Sequence, residues 1–213
     1  MLTIHHLGKS QSERIVWLCE ELGLDYKLVL HDRDPVTALA PPSLVELHPL
    51  GTAPVIADDD IVLAESGAIM EYIIGKYGGG RLTFAPTHPE YAQYVFWLHY
   101  ANGNLQPAMG RNMVMHRLGL PPDNPIAARI RSRLLGGFAM IETRLGEASF
   151  LAGDTLTAAD IMTVFSLTTM RYFYPFDLTP YPHVRGYLKR IAAIASYQRA
   201  MKKGDLGMKL LLD

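Results

Sequence analysis

The sequence predicts an α/β unit followed by an all-α domain, and three features carry that expectation. Through the first ~80 residues short β-type runs alternate with helical spacing, the texture of an α/β unit. The stretch "YGGGRLTFAPTHPE", rich in Gly and Pro, then reads as a linker. Beyond it the β-type texture is gone, and residues 89–118, 125–146, 157–171 and 183–203 each carry helical periodicity. The expected domains are therefore 1–79 and 89–213, joined by a linker over 80–88.

Taken in order, "LTIHHL" is a short strand. From Ser10 the spacing turns helical, with Ile15, Leu18, Cys19 and Leu22 recurring at three and four residues, and Gly23 falls where a C-terminal cap is expected. "KLVL" is a second strand, and "HDRDPVTALAPPSL" an irregular segment with room for one helical turn. "PVIA" and "IVLA" flank an acidic turn as a hairpin, and a helix from about Ser66 to Tyr77 follows. A mixed four-stranded sheet flanked by helices fits that order. In the second half, Thr157 and Asp160 of "GDTLTAADIM" form a capping box, with Leu156 and Ile161 placed for a hydrophobic staple. That pattern stabilises a helix start and does no chemistry.

Composition narrows the function. With 213 residues, 49% hydrophobic and 19% charged, the chain is globular and long enough for a core in each half. A net charge of -1 without a basic run argues against a nucleic-acid partner. The single cysteine, Cys19, allows neither an internal disulfide nor a Cys-x-x-Cys pair, and it suits a reducing compartment. It falls on the apolar stripe of the first helix, as a core residue does. "MLTIHHLGKS" is not a secretory signal, and no apolar run approaches the ~18 residues of a membrane span. A cytoplasmic protein is expected. The histidines show no metal-binding spacing, and tandem His5-His6 point to opposite faces of a strand, so no metal is expected.

The stretch "GTAPVIADDDIVLAES" carries more. A proline heads one strand, and Glu65-Ser66 ends the next at a helix start, where unpaired N–H groups and the positive dipole end suit an anion. On spacing alone, Ser66 is a cap for its helix and Glu65 a solvated first-turn acid.

Taken with "IHHLGKSQSERIVWLCEELGL", "LAESGAIMEYI", "FLAGDTLTAADI" and "YPHVRGYLKRI", the stretch resembles the cytosolic glutathione transferases over nearly the whole chain, in a serine-type, theta- or nu-like form. The resemblance implies a thioredoxin-like N-terminal domain with a cis bond before Pro54 and the Ala53 backbone turned outward to bind glutathione as an added strand. It gives Glu65 and Ser66 the γ-glutamyl amine and carboxylate, and puts Thr52 beside the glycine end. It implies a homodimer engaged in detoxification, with glutathione as co-substrate, a hydrophobic electrophile as second substrate, and no other cofactor.

A thiol of pKa ~8.5 must lose ~2 units to react at neutral pH, which needs ~2.7 kcal/mol. One hydrogen bond to a charged group supplies about 1.5–3 kcal/mol. The resemblance places the donor between the first strand and first helix, as tyrosine in some classes and serine in others. Ser10 stands there, four residues before Arg14. Ser10 and Glu13 also make a Ser-x-x-Glu capping box, and Ser12, the Lys9 side chain or backbone N–H groups near it remain alternatives.

Thr52 replaces a lysine that related bacterial sequences often place against the glycine carboxylate, leaving His31, Arg33 or His48 as substitutes. The electrophile is expected against "LHYANGNLQPAMGRNMVMHRLGL". There Met109, Met113 and Met115 offer either an adaptable wall or ordinary packing, and Arg111 and His116 are suited to an anionic substrate. Asn102 stands where relatives with "FWLHYA" usually have an acidic residue near the dimer interface, and "RYFYPF" (171–176) reads as packing.

The expected activity is conjugation of glutathione to hydrophobic electrophiles, with organic-hydroperoxide reduction as a secondary activity. The alternatives are a non-catalytic ligand-binding or interaction module and a glutathione-dependent disulfide reductase that uses no protein cysteine.

Overall fold

The computed structural model describes residues 1–121 and 123–213. They divide into two compact units, Met1–Leu82 with Ala192–Lys209, and Thr83–Ile191 with Leu210–Asp213. In the first unit, β1 (Thr3–Leu7), β2 (Lys27–His31), β3 (Val55–Asp58) and β4 (Ile61–Ala64) form a four-stranded sheet in the order β2-β1-β3-β4. β1 runs parallel to β2 and antiparallel to β3, and β3 and β4 make the expected hairpin. The mixed sheet is the thioredoxin-like arrangement expected.

α1 (Glu13–Leu22) and the short α2 (Pro42–Val45) lie between the strands, and α3 (Ser66–Tyr77) follows β4. α1 ends where expected, with Gly23 in the left-handed region at φ 67° and its N–H on the Cys19 carbonyl. Its start differs, because the first helical residue is Glu13 and the N-cap is Ser12, whose hydroxyl makes no capping bond. The Ser10–Glu13 capping box is not formed.

Almost every residue of α1 is buried, because the helix has a second partner besides the sheet. That partner is α9 (Ala195–Gly204). Trp17 meets Tyr197 edge-on at 4.9 Å and donates to Ser196 Oγ at 3.1 Å. Glu20, buried beneath them, accepts from Tyr26 and Arg199 and pairs with Lys203. Desolvation pushes the Glu20 carboxyl up, and the hydrogen bonds from Lys203, Tyr26 and Arg199 outweigh it and hold the group low.

The helix expected over 183–203 is accordingly two helices, α8 (Pro182–Ala192) and α9, separated at the extended Ile194. No Gly or Pro marks the break, and both segments are amphipathic, so the periodicity runs through it. α9 and the tail as far as Lys209 group with the sheet unit, and Leu210–Asp213 with the helical one.

The second unit is helical. α4 (Tyr91–Tyr100) continues through a π-helical turn, Ala101–Leu105, into α5 (Gln106–Arg117), which makes one bulged rod of the helix expected over 89–118. α6 (Pro125–Glu147) lies against α5, and α7 (Ala158–Leu167), buried at every position, lies against α4. The Thr157–Asp160 capping box is present. The expected extension of α7 to 171 is instead a 3-10 turn, Thr169–Tyr172.

One buried charge ties the hairpin to α3. Asp58 of β3 accepts from Tyr72 (2.8 Å), Lys76 (2.7 Å) and Tyr77 (2.6 Å). Desolvation raises its pKa, but these three bonds outweigh it and hold the carboxyl at about 2. A depressed folded pKa stabilises the fold above the unfolded value of about 4 and is lost as pH falls through about 2. Asp58→Asn should therefore cost roughly 1.5–3 kcal/mol in denaturant titrations at neutral pH, with the gap to wild type closing between pH 4 and pH 2. A gap independent of pH would contradict this assignment.

Candidate functional site

The strand pairing gathers the expected residues at one end of the sheet. His5 pairs with Val55, so the same register carried on sets Pro54 opposite His6 and Ala53 opposite Leu7. Val55 pairs with Ala64, which brings Glu65 to the same end, and Leu7 pairs with His31 there. The Ala53–Pro54 bond is cis, and Ala53 precedes the first ladder residue of β3. Thr52 is exposed on the loop before it. Two residues at this end hold left-handed backbone without being glycine, Lys9 (φ 54°) and Glu65 (φ 74°). Such conformations cost about 1–3 kcal/mol each and concentrate at functional sites.

The turn from β1 to α1 is organised around buried hydroxyls. Ser10 Oγ lies 2.7 Å from Ser12 Oγ and accepts from the Ser12 N–H at 3.2 Å. Ser12 Oγ accepts from the Leu7 N–H at 3.1 Å and lies 3.0 Å from His6 Nδ1. His6 Nε2 then faces Asp205 Oδ2 at 3.2 Å. The other Asp205 oxygen accepts from the Lys9 N–H at 2.7 Å. Ser12 is 0% exposed, His6 1% and Ser10 8%, so Ser10 is the outermost group of the series. Asp205 comes from the tail of α9 and had no local signal in the sequence.

Two of the alternatives for the thiol-facing group are engaged within the protein. Ser12 is fully enclosed and already engaged inward, and the Lys9 N–H is taken by Asp205. The basic substitutes for the glycine carboxylate are occupied too. Arg33 donates to the carbonyls of Gly8 (2.9 Å), Lys9 (3.1 Å) and Ala38 (2.8 Å), bracing the turn from outside. His31 lies 3.0 Å from His5 Nδ1 through one nitrogen and 3.2 Å from Ser43 Oγ through the other. His48 Nδ1 accepts from the Leu50 N–H. Burial lowers the pKa of both His5 and His31, so the pair is neutral at physiological pH. His5 and His6 serve opposite faces, as alternation requires.

At the end of β4, the cap roles are exchanged. Glu65 is the N-cap of α3, accepting from the Gly67 N–H, and Ser66 is the first helical residue. Ser66 Oγ donates to Gln11 Oε1 at 3.3 Å, and Gln11 also accepts from Arg14 at 2.9 Å. Gln11, unmarked in the sequence, thus joins the Ser10 turn to Ser66. Burial pulls the enclosed Arg14 guanidinium down to about 10, while Glu13 and Glu65 hold it up, so it stays charged at neutral pH. Burial pushes the Cys19 thiol up to about 12, which leaves it inert.

The helical unit holds a separate cavity of about 300 Å³, bordered by Asn112, Met115, His116, Leu120, Arg131 and Tyr174. Of the residues expected around the electrophile, Met115 and His116 border it. Met109 is 0% exposed and is a core residue on the inner face of α5, a correction to its place in that group. Arg111 is exposed and Met113 half-buried, and neither borders the cavity. Tyr174 does border it, so "RYFYPF" contributes more than packing.

Comparison with known proteins agrees with this geometry. Residues 10–74 match the family described as "Glutathione S-transferase, N-terminal domain", and residues 124–190 match "Glutathione S-transferase, C-terminal domain". "Glutathione S-transferase 3" of Schizosaccharomyces pombe is 30% identical over 210 residues, covering 90% of this chain and 83% of that one. The crystal structure of a glutathione S-transferase from Actinobacillus pleuropneumoniae superposes with a TM-score of 0.88 at 34% identity, covering 97% of this chain and 95% of that one. A Phanerochaete chrysosporium glutathione transferase, crystallised with oxidized glutathione, shares the fold at a TM-score of 0.74 and 23% identity, covering 95% and 94% of the two chains. With both of its halves matched and the site-bearing end of the sheet built as described, the chain belongs to the glutathione S-transferase family.

Proposed function

We propose that this glutathione S-transferase is of the serine type, with Ser10 stabilising the glutathione thiolate for attack on a hydrophobic electrophile. The observation that carries the reading is the position of Ser10. Its hydroxyl is the outermost of a buried polar series, at the sheet end that also presents Ala53, Pro54, Glu65 and Ser66. A hydroxyl that accepts from the protein on one side has its own proton left for a sulfur on the other.

Glutathione is held, in this reading, as a short strand on the Ala53 backbone, with its γ-glutamyl carboxylate at the α3 N-terminus and its amine near Glu65. The buried Arg14 charge adds to the positive potential on that side. Thr52 meets the glycine carboxylate with a hydroxyl alone. The electrophile is taken by the helical unit at the cavity bordered by His116 and Tyr174, with exposed Arg111 nearby on α5. The same thiolate supports organic-hydroperoxide reduction, two glutathione thiols being oxidised to a disulfide while the peroxide becomes an alcohol and water.

The protein is expected to act in detoxification in the cytoplasm, where its single buried cysteine suits a reducing setting. Among the described residues no helix is long and apolar enough to cross a membrane. A homodimer is supported by the groove between α4 and α6, where Phe96, 47% exposed, lies beside Trp97 and Met140.

Ser10→Ala should lower kcat/KM with an aryl halide by about 10- to 100-fold, the loss of one charge-assisted hydrogen bond, with glutathione affinity nearly unchanged. Retention of full activity would remove Ser10 from the mechanism. Thr52→Lys should tighten glutathione about tenfold, near 1.4 kcal/mol, in calorimetry, and should not tighten the glycine methyl ester. Equal gains for both ligands would show that Thr52 does not face that carboxylate.

A further inference from the structure

The end of the helical unit where α5 gives way to α6 carries positive charge that the fold does not use. Between residues 111 and 133 stand Arg111, Arg117, Arg129, Arg131 and Arg133, against a single acid, Asp123, in a chain whose net charge is -1. All five arginines are exposed. Among the described residues, none of their guanidinium groups has a hydrogen bond or an ion pair. Outside this segment, every arginine but Arg185 donates to an oxygen of the protein. Like charges gathered without partners repel one another and add nothing to stability, while they raise the local concentration of anions.

Of the five, Arg131 borders the cavity of about 300 Å³. Its place there is fixed from within the unit. Asn112, 5% exposed, donates to the Ala108 carbonyl of α5 at 2.8 Å and to the Ile130 carbonyl of α6 at 3.4 Å, which ties the helices together one residue before Arg131. His116 and Tyr174, whose rings meet edge to face with centroids 6.4 Å apart, bring an imidazole and a phenol to the same cavity. Met115, Leu120 and Ala127 give it apolar wall, and no carboxylate borders it. A molecule with an apolar body and one negative charge matches this lining. The body lies on the apolar wall, and the planar guanidinium takes two oxygens of the anion. A cation would meet repulsion alone, and a neutral molecule would use only the wall.

We propose that the electrophile of this transferase is an acid, an apolar compound whose carboxylate or sulfonate is held by Arg131, which makes Arg131 a specificity-determining residue. The proposal rests on the cavity being the electrophile site. The bond chemistry is that of any conjugation: the glutathione thiolate forms a sulfur–carbon bond, and a halide on that carbon leaves with its electron pair. Arg131 takes no part in that step. It holds the anion equally before and during the reaction, so it acts on KM and not on kcat.

The test compares a chlorodinitrobenzoate with the matching chlorodinitrobenzamide, electrophiles of nearly one shape that differ in charge. In wild type the KM for the benzoate should lie about fivefold below that for the benzamide, the size expected of an ion pair at an exposed guanidinium, and added salt should shrink the gap. Arg131→Gln should close the gap by raising the benzoate KM. Arg133→Gln, equally exposed on α6 but away from the cavity, should keep it. Because Arg131 is exposed and unpaired, its loss leaves the fold intact, which a thermal melt verifies. Calorimetry with dinitrobenzoate, which lacks the leaving group, supplies the second arm. It should bind about fivefold more weakly to Arg131→Gln and compete with the benzamide in wild type. Equal KM values for the two electrophiles in wild type, or an equal loss in Arg133→Gln, overturn the proposal and leave the transferase reading in place. Binding of dinitrobenzoate that depends on Arg131 without competing with the benzamide overturns the assignment of the cavity to the electrophile, and the proposal with it.

Discussion

The Asp205 carboxylate is the constraint on which the site end of the first unit depends. One oxygen closes the turn between β1 and α1 by accepting the Lys9 N–H, and the other faces His6 in the interior. Lys9 holds left-handed backbone there, a conformation that persists only when its surroundings over-determine it. Asp205 holds it from within, and Arg33 holds the carbonyls of Gly8 and Lys9 from the other side. The turn is therefore set before any ligand arrives, as a site must be if its donors are to meet a developing charge without reorganisation.

Asp205 reaches that position because α9 docks on α1. Trp17, Glu20 and Glu21 on α1 meet Ser196, Tyr197, Arg199 and Lys203 on α9 through ring contacts, hydrogen bonds and ion pairs. These contacts lie on α1 and α9, and through Asp205 at the end of α9 they fix a short stretch of backbone at the Ser10 turn. A parallel device operates at the β3–β4 hairpin, where Asp58 anchors α3 and thus the register of Glu65 and Ser66. Gln11 joins the two, bonded to Ser66 and to Arg14.

The sequence made some of this legible and hid the rest for identifiable reasons. The sheet, the hairpin and the start of α3 could be read because alternation and turn residues are local signals. Gly23 and the Thr157–Asp160 box marked helix ends for the same reason. Ser10, Ala53, Pro54, Glu65 and Ser66 were legible through resemblance and through the chemistry of a helix start. Asp205 and His6 were not, because their partnership spans almost the whole chain and neither has a local motif. Gln11 was hidden likewise, since its role is a bridge between two elements. The break at Ile194 escaped because two amphipathic helices in succession keep one periodicity even when they face different partners. Met109 was open to two readings, ligand wall or packing, because residue type alone does not say which way a helix turns it, and it lies in the core.

The most direct test of the whole account is a pH titration of the thiolate absorbance of glutathione bound to the wild-type protein. The account predicts a thiol pKa well below the free value of about 8.5, so that bound glutathione is largely thiolate at neutral pH. A bound thiol that titrates at the free value would contradict it, leaving a protein that holds glutathione without activating it.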